Sequence, residues 1–404
     1  MTGASRDRLA RIGFVALAAC LGLIQLNIIT AEACFDVAAI AWVVLAIGDR
    51  RRPDAPAFFV PLLALAAWTI VSAALSSDPA ASLLRSRQLC LYLIVPMAMR
   101  FARGSRARTI ADVVIAIGAI GAVIGIVQYA VLGYDDLHAR PHGLLGHYMT
   151  YSGVLMLVIC TAVARLIYAD REWTWPAVAV PALLVALAVT LSRNAWVGAV
   201  LGVLVLLGLR RPRLLVAVPI VVAIALVAAP VRSRALSMFD PHNPTNRDRL
   251  SMIRSGEAMI KDHWFAGVGP NMVPVEYLAH YKRADAVDPV DQPGSTRAHL
   301  HNVPVQLAAE RGLPALAAWL WFVVVAIRDL YRLARRGRAP ALAAGGLAVM
   351  VAMLTAGLFE HNFGDSEFLI LLLGLITLPF AAVVNDPTDA TTATPVRAAR
   401  VGAR

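Results

Sequence analysis

Long apolar runs constrain this chain more than any other feature of its sequence. They lie near residues 12–30, 34–48, 57–76, 83–101, 109–132, 147–168, 176–191, 194–209, 214–230, 303–327, 340–359 and 367–384. Runs of this length can cross a bilayer as helices. Because the chain is 59% hydrophobic and only 16% charged, well below the charge content of soluble domains, we predict an all-α, polytopic membrane protein.

The seventh and eighth runs are separated only by the polar residues Ser192-Arg193-Asn194. A single helix from Pro176 to Leu209 would be about 51 Å long, whereas the hydrocarbon core of a bilayer is about 30 Å thick. The chain therefore has to turn back, and we predict the turn at these three residues. This turn gives about twelve transmembrane helices.

The arginines predict the orientation of these spans. The net charge of +11 could indicate nucleic-acid binding, but most arginines stand in short loops between apolar runs, so we expect no nucleic-acid partner. With twelve spans, every basic cluster falls on the same side of the membrane, which is then the cytoplasmic side. Both termini are predicted to be cytoplasmic. The clusters are Arg6/Arg8/Arg11, Arg50–Arg52, Arg100–Arg108, Arg165/Arg171, Arg210/Arg211/Arg213, Arg328–Arg338 and Arg397/Arg400/Arg404.

Two features of the sequence are interpreted as structural. Ala31-Glu32-Ala33 resembles a signal-peptidase site, but the run from Ile12 to Ile29 is long for a signal core, so we keep it as the first span. The cysteines lie in or beside apolar stretches without metal-ligand spacing, so we predict neither a disulfide nor a zinc site. They are Cys20, Cys34, Cys90 and Cys160.

The predicted spans divide the chain into four parts. Residues 1–230 hold transmembrane helices 1–9, residues 231–302 form a periplasmic loop, residues 303–385 hold helices 10–12, and residues 386–404 form a disordered cytoplasmic tail. In the loop, the pattern predicts a helix over Arg249–Asp262 with an apolar side formed by Leu250, Ile253 and Ile260. The segment Lys282–Ser295 is rich in Asp and Pro, and we predict an irregular structure with Asp285, Asp288 and Asp291 in solvent.

The strongest candidate for chemistry is the stretch Ala298–Gly312, which mixes polar and apolar residues at a predicted span mouth. A neutral imidazole can accept a proton near neutral pH, so His299 or His301 could activate a hydroxyl group, an effect typically worth about 10²–10⁴-fold in rate. Asn302 could orient the ring or the substrate. The two histidines could also hold a metal ion, but the sequence offers no obvious third ligand, and we predict none.

Arginines on the predicted outer side are candidate anion ligands. Arg193 stands in the tight turn, where a planar guanidinium could bind a phosphate through two parallel hydrogen bonds. Alternatively, an arginine at the membrane interface can simply extend toward water. Arg249 shares a side with apolar residues and is expected to point inward. Arg247 and Arg254 form a stripe with Lys261, which is either a solvated helix face or part of the site. Arg140 lies on the same side and could line the site.

Acidic and amide residues give weaker indications. Asp365-Ser366-Glu367 has the D-x-E form of some metal-dependent glycosyltransferases, but the motif is short. Gln306 and Glu310 enter an apolar span and are expected to face the interior of the bundle. The sequence therefore favours arginine and histidine chemistry over a bound metal ion.

These motifs resemble the signature of the O-antigen ligase and polymerase superfamily. The family pattern is His-Asn, then Gln, then Glu-x-Gly, which corresponds here to His301-Asn302, Gln306 and Glu310-Arg311-Gly312. His299 completes a His-x-His-Asn form. The segments Leu191-Ser192-Arg193, Arg249–His263 and Gly267–Asn271 also look like the family's arginine turn, arginine helix and Gly-x-Gly turn.

The resemblance implies transfer of O-antigen polysaccharide from an undecaprenyl-pyrophosphate donor to a sugar hydroxyl of the lipid A–core acceptor, at the periplasmic face of the bacterial inner membrane. It implies a single inverting displacement without a cofactor or metal. His301 would be the general base, and Arg193 and Arg249 would bind the pyrophosphate. Supporting or substrate-binding roles fall to His299, Asn302, Arg247 and Arg140.

Three alternatives remain open from the sequence. Within the same superfamily, the protein could be an O-antigen polymerase or a protein O-oligosaccharyltransferase. From a different class, an anion or lipid transporter would also place arginines near the membrane edge. A transporter would be expected to show a repeat between its halves, and the sequence contains no visible repeat.

Overall fold

The computed structural model describes residues 2–49, 53–168, 175–283 and 299–384, and within these residues it contains helices and no strand. The helices are α1 (Gly3–Leu23), α2 (Ile28–Asp49), α3 (Phe59–Ala74), α4 (Pro79–Arg85), α5 (Ile94–Phe101), α6 (Ser105–Ala130), α7 (Tyr148–Ile167), α8 (Pro176–Val189), α9 (Arg193–Arg210), α10 (Ala217–Ala225), α11 (Ala229–Leu236), α12 (Pro244–Asp262), α13 (Val273–Glu276), α14 (Val303–Arg335), α15 (Pro340–Gly357) and α16 (Ser366–Val383). Short 3₁₀ segments cover Ser86–Leu93, Pro212–Val216 and Asn362–Gly364, and a π-turn covers Tyr277–Tyr281.

Every predicted span coincides with a helical segment, although the number of spans stays a prediction. Seven helices of the described chain are long and apolar enough to cross a membrane: α2, α6, α7, α9, α14, α15 and α16. The pair formed by residues 212–225 and α11 would be an eighth, but it is bent by 109°. Helices α3 and α8 are apolar but shorter. The chain is therefore a multi-pass membrane protein.

Some sequence predictions lie outside the described residues. These are the tail from residue 386, the solvent positions of Asp285, Asp288 and Asp291, and the basic residues Arg50–Arg52 and Arg171.

Helix α15 lies at the centre of the bundle, between α7, α9, α14 and α16. It packs closely on α9 because Gly198 and Gly202 present no side chain there. A Cβ at Gly198 would lie 2.8 Å from the carbonyl oxygen of Ala352, and one at Gly202 would lie 3.0 Å from that of Ala348. Small residues let helix backbones approach in this way in membrane bundles.

The predicted turn between α8 and α9 is confirmed. Helix α8 ends at Val189 and α9 begins at Arg193, with Ser192 directly before it. Leu191 has φ 53°, a left-handed conformation that few non-glycine residues adopt. The turn places Arg193 on the first turn of α9, buried at the bundle end.

Helix α14 is broken at Gly312, which has φ 78°. At the break, two carbonyl groups of α14 accept hydrogen bonds from the segment before α13. Val268 N donates to the carbonyl oxygen of Ala309 (2.9 Å), and Gly269 N donates to that of Glu310 (2.8 Å). A Cβ at Gly312 would collide with the carbonyl oxygen of Phe265. The Glu-x-Gly and Gly-x-Gly motifs therefore form one joint between the loop and the bundle.

The polar connections gather at two opposite ends of the bundle. At one end, Ser77 donates to Glu276 (3.0 Å) and Ser82 to the carbonyl oxygen of Pro270 (3.2 Å), so the loop after α11 packs on the α3–α4 turn. Contacts at the other end include the ion pair of Arg100 with Asp49 (2.6 Å).

The helix predicted over Arg249–Asp262 is present as α12, but its predicted apolar face is wrong. Leu250 is 49% exposed, and Ile253 and Ile260 are only partly buried. The buried face instead carries Asp248, Ser251, Met252, Ser255, Gly256 and Met259. Small residues are needed there because α12 lies against the start of α14, where a Cβ at Gly256 would meet the side chains of Leu300 and Val305.

Candidate active site

The start of α14 is held to the end of α15 by one side chain. The Oδ1 atom of Asn302 accepts a hydrogen bond from Val305 N (3.0 Å), as helix N-cap residues do. Its Nδ2 atom donates to the carbonyl oxygen of Leu358 (3.0 Å). His301 precedes Asn302 and Glu360 follows Leu358 by two residues, so this bond brings the two side chains together.

The backbone of His301 is itself unusual, with φ 51°. Such left-handed positions are costly for non-glycine residues and persist where the surroundings hold them, frequently at functional sites. Here Gln306, which is buried as predicted, accepts a hydrogen bond from Leu300 N (2.6 Å) and fixes the segment from the other side.

Glu360 is the centre of a cluster with two histidines. Its Oε2 atom lies 3.0 Å from Nδ1 of His301, and its Oε1 atom lies 3.5 Å from Nε2 of His299. The two rings meet edge to face with centroids 4.3 Å apart. The Glu360 side chain is only 6% exposed. When Nδ1 of His301 donates to this carboxylate, Nε2 of the same ring is left as a proton acceptor.

The electrostatics of the cluster favour a charged Glu360 carboxylate and neutral rings for His299 and His361. Burial raises the pKa of the Glu360 carboxyl, but His301, His299 and Arg249 outweigh this effect and hold the pKa below its usual range. Burial lowers the pKa of His299 to about 4, an effect that Glu360 only partly offsets. Burial, with His299 next in effect, also holds the pKa of His361 well below its usual value.

With Glu360, the two histidines form a group of three residues that could hold a metal ion, and the sequence did not reveal this third residue. Ligand atoms of His299, His301 and Glu360 all lie within 4.8 Å of one another, and nitrogen and carboxylate oxygen ligands suit zinc. However, Nη2 of Arg249 lies 3.9 Å from Oε2 of Glu360, and a fixed guanidinium would repel a second cation there. The expectation of a metal-free reaction stays a prediction.

Arg193 is buried and held by the segment that follows α11. Its Nη1 atom donates to the carbonyl oxygen (2.9 Å) and to Oγ (3.2 Å) of Ser237, and its Nη2 atom donates to Oδ1 of Asn246 (2.9 Å). A guanidinium has five N–H donors, so these three bonds leave donors for a ligand. The geometry gives Arg193 a fixed orientation instead of a side chain extended toward water.

Arg193 belongs to a group of four arginines. The charges of Arg234, Arg249 and Arg140 all act on its guanidinium. Arg234 donates from Nε to the carbonyl oxygen of Leu191 (3.2 Å), and Arg140 stacks on the Tyr148 ring, 3.7 Å from its centroid. Such a concentration of partly buried positive charge favours an anionic ligand. Arg249 links this group to Glu360.

The structure does not bring every candidate residue to this place. Arg247 and Arg254 are exposed on α12, together with Lys261, which fits the solvated-face interpretation of the basic stripe. Asp365 of the D-x-E motif accepts a hydrogen bond from Thr150 (3.2 Å). Its pKa is raised to about 7 by burial and then by the charges of Glu360 and Glu367.

Sequence reasoning missed two residues of the site, Glu360 and Arg234. Glu360-His361-Asn362 mixes charged and polar residues between two apolar runs, as the stretch around His301 does, and this pattern could have singled it out. Arg234 could have been found as an arginine close to a span end on the predicted outer side. No spacing in the sequence shows that either residue contacts its partner.

A family model described as O-antigen ligase matches residues 177–320. The match supports membership of the chain in the O-antigen ligase superfamily. The matched region contains Arg193, Arg234, Arg249, His299 and His301, whereas Glu360 and Arg140 lie outside it. The family indicates ligase- or polymerase-type glycan transfer. Comparison with curated proteins gave no match.

Proposed function

We propose that this protein transfers O-antigen polysaccharide from undecaprenyl pyrophosphate to a sugar hydroxyl of lipid A–core, at the periplasmic face of the inner membrane. The observation that supports this most is the 3.0 Å contact of Glu360 with Nδ1 of His301, beside a group of arginines and within an O-antigen ligase-type chain. Together they offer a base for a hydroxyl and a place for a pyrophosphate.

His301 acts as the general base in this proposal. Glu360 keeps the proton on Nδ1, so Nε2 takes the proton of the acceptor hydroxyl as its oxygen attacks the anomeric carbon of the donor sugar. The bond from that carbon to the pyrophosphate oxygen breaks on the opposite face, and the new glycosidic bond has the inverted configuration. Undecaprenyl pyrophosphate leaves with the bonding electron pair.

Arg193 and Arg249 bind the pyrophosphate and stabilise the charge that grows on it as the bond breaks. Fixed donors of this kind are effective because they need no reorganisation during the reaction. Arg193 is already oriented by Ser237 and Asn246, and Arg140 and Arg234 add to the local positive charge. In many enzymes a metal ion does this work; here four guanidinium groups do it.

The proposal is tested by measuring which of three acceptors receives the glycan. The full chain is reconstituted in proteoliposomes with lipid-linked glycan and offered lipid A–core, a second lipid-linked glycan, or a pilin-like protein. The proposal predicts a glycan ladder on lipid A–core. Transfer to the second lipid-linked glycan would indicate a polymerase, and transfer to the protein would indicate an O-oligosaccharyltransferase. Absence of transfer, together with movement of lipid-linked glycan across the bilayer, would favour the transporter.

A further inference from the structure

Glu310 is a buried residue of α14 whose carboxylate bonds to two other parts of the chain. Its side chain is only 7% exposed, and Nη2 of Arg311 lies 3.8 Å from its Oε2 atom. Its Oε1 atom accepts a hydrogen bond from Asn271 N (2.9 Å). The carboxylate also accepts a hydrogen bond from the side chain of Gln306, one helical turn earlier. The proposed reaction gives this carboxylate no task, although burying a carboxyl group is costly.

The two partners of the Gln306 amide determine which way it faces. Its Oε1 atom accepts a hydrogen bond from Leu300 N (2.6 Å), and its only donor is the NH₂ group. A carboxylate only accepts hydrogen bonds, so Glu310 holds the NH₂ group and leaves the oxygen for Leu300. A flipped amide would point its oxygen at the carboxylate and its NH₂ group at the N–H of Leu300, and both bonds would be lost.

The bond to Leu300 matters because this residue directly precedes the proposed base. Leu300 is fully buried, and a buried N–H without a partner costs free energy comparable to a lost hydrogen bond. His301 has φ 51°, a conformation that persists only where the surroundings hold it. On its other side, Asn302 is tied to the end of α15. The bond from Leu300 to Gln306 is therefore one of two anchors that hold the backbone of His301.

We propose that Glu310 is a positioning residue for His301, which it holds in place through the Gln306 amide and the backbone of Leu300. This inference rests on the proposed function, because it concerns the base of that reaction. Glu310 transfers no proton and contacts no substrate. Because Asn271 donates to the same carboxylate, the loop after α12 is anchored to the turn that carries the base.

An exchange of the two side chains tests the proposal, with the full chain in nanodiscs and with lipid-linked glycan and lipid A–core as substrates. Glu310→Gln pairs two amides and Gln306→Glu pairs two carboxylates. Each variant should lower kcat about tenfold or more and leave both KM values within about twofold. The double variant Gln306→Glu/Glu310→Gln again has one carboxylate and one amide. Its carboxylate accepts from Leu300 N, and its amide donates to that carboxylate and accepts from Asn271 N.

The kcat of the double variant should return to within about threefold of wild type. A kcat that stays about tenfold or more below wild type in the double variant overturns the proposal, as does wild-type kcat in both single variants. If the single variants fail to fold, the double variant decides by the same two limits, because it keeps every donor and acceptor of the pair.

Ser72→Ala is the matched control for the contact between the loop and the bundle. Oγ of Ser72 donates to the backbone carbonyl oxygen of Glu310 (3.1 Å), so the variant removes a bond to the same residue without touching its carboxylate. Gly269 N still donates to that carbonyl oxygen. Ser72→Ala should leave kcat within about twofold of wild type. A loss equal to that of Glu310→Gln would assign the effect to the packing of the loop and overturn the positioning role.

A second comparison places Glu310→Gln in a chain that already carries His301→Ala. A residue that acts only through His301 has no effect once that ring is absent. The residual rate of the combined variant should therefore equal that of His301→Ala alone. A further loss of about threefold or more would show that Glu310 acts on the rate by another route and would overturn the proposal.

A measurement without catalysis separates failure of the positioning role from failure of the proposed function. Nitrogen-15 NMR of histidine-labelled protein reports the ring nitrogens, and the signals absent from His301→Gln are those of His301. These signals should shift in Glu310→Gln, return in the double variant and stay in place in Ser72→Ala. If no acceptor is glycosylated but this pattern holds, the proposed function fails and Glu310 still positions His301. Signals of His301 that do not change in Glu310→Gln overturn the inference, whatever the activity.

Discussion

The Oε2 atom of Glu360 lies 3.0 Å from Nδ1 of His301, although 59 residues separate the two in the sequence. The contact exists because Asn302 bonds across to Leu358 and thereby joins the start of α14 to the end of α15. When Nδ1 of His301 donates to this carboxylate, Nε2 of the same ring is left as the proton acceptor.

Glu360→Gln should lower kcat by about 10²-fold while changing the donor KM little, because a neutral amide no longer stabilises the imidazolium that forms as the proton is taken. Glu360→Ala should be less active still, since it also frees the ring to rotate. Steady-state kinetics at matched protein levels would measure both. Wild-type kcat in Glu360→Gln would mean that the carboxylate has no part in the reaction.

His299 should contribute nothing to the pH dependence of transfer above about pH 5. Its pKa is lowered to about 4 by burial, and a base with a lowered pKa gains its proton only when the pH falls to that value, so the ring is neutral through the neutral range. His299→Asn should therefore slow the reaction while leaving the acid limb of the kcat/KM profile in place. Displacement of that limb in the variant would assign the titration to His299.

Arg193→Lys should raise the donor KM about tenfold or more, because an ammonium cannot reproduce the bidentate hydrogen bonding of a guanidinium to phosphate. Arg193 also has structural partners, so a control is needed. Asn246→Ala removes one of these partners and leaves the guanidinium in place. If Asn246→Ala raises the donor KM as much as Arg193→Lys does, Arg193 acts by holding the loop and not by binding the donor.

Much of this fold could be predicted because apolar runs and the turn at Ser192–Asn194 follow from membrane thickness alone. The burial of Gln306 and Glu310 followed from the same reasoning. The face of α12 could not be predicted, because its small residues Ser255 and Gly256 are buried by the close approach of α14, which no periodicity within α12 encodes.

For a related reason, only part of the candidate site could be predicted from the sequence. His299, His301 and Arg193 stand in short motifs, so local composition reveals them. Glu360 and Arg234 act through contacts made across the bundle end, to His301 and to the turn at Leu191. Similarly, the break in α14 at Gly312 is explained only by the hydrogen bonds that the Gly267–Gly269 segment makes to the helix there.

The predicted topology can be tested by labelling single cysteines. In a chain whose four native cysteines are replaced by alanine, His242→Cys and Arg336→Cys stand at exposed positions on opposite predicted sides of the membrane. An impermeant maleimide should label His242→Cys in intact spheroplasts and Arg336→Cys only after lysis. The reverse pattern, or labelling of both in intact cells, would refute the orientation with the loop 231–302 outside.

The most direct test of the central claim is transfer of lipid-linked glycan to lipid A–core by the reconstituted protein, measured in excess EDTA with wild type and His301→Ala side by side. We expect wild type to keep its full rate in EDTA, because the four arginines carry the leaving-group charge. We expect His301→Ala to lose at least about 10²-fold in rate while staying folded in the membrane. Full activity in His301→Ala, or loss of wild-type activity in EDTA with rescue by zinc, magnesium or manganese, would contradict the account and assign His299, His301 and Glu360 to a metal ion instead.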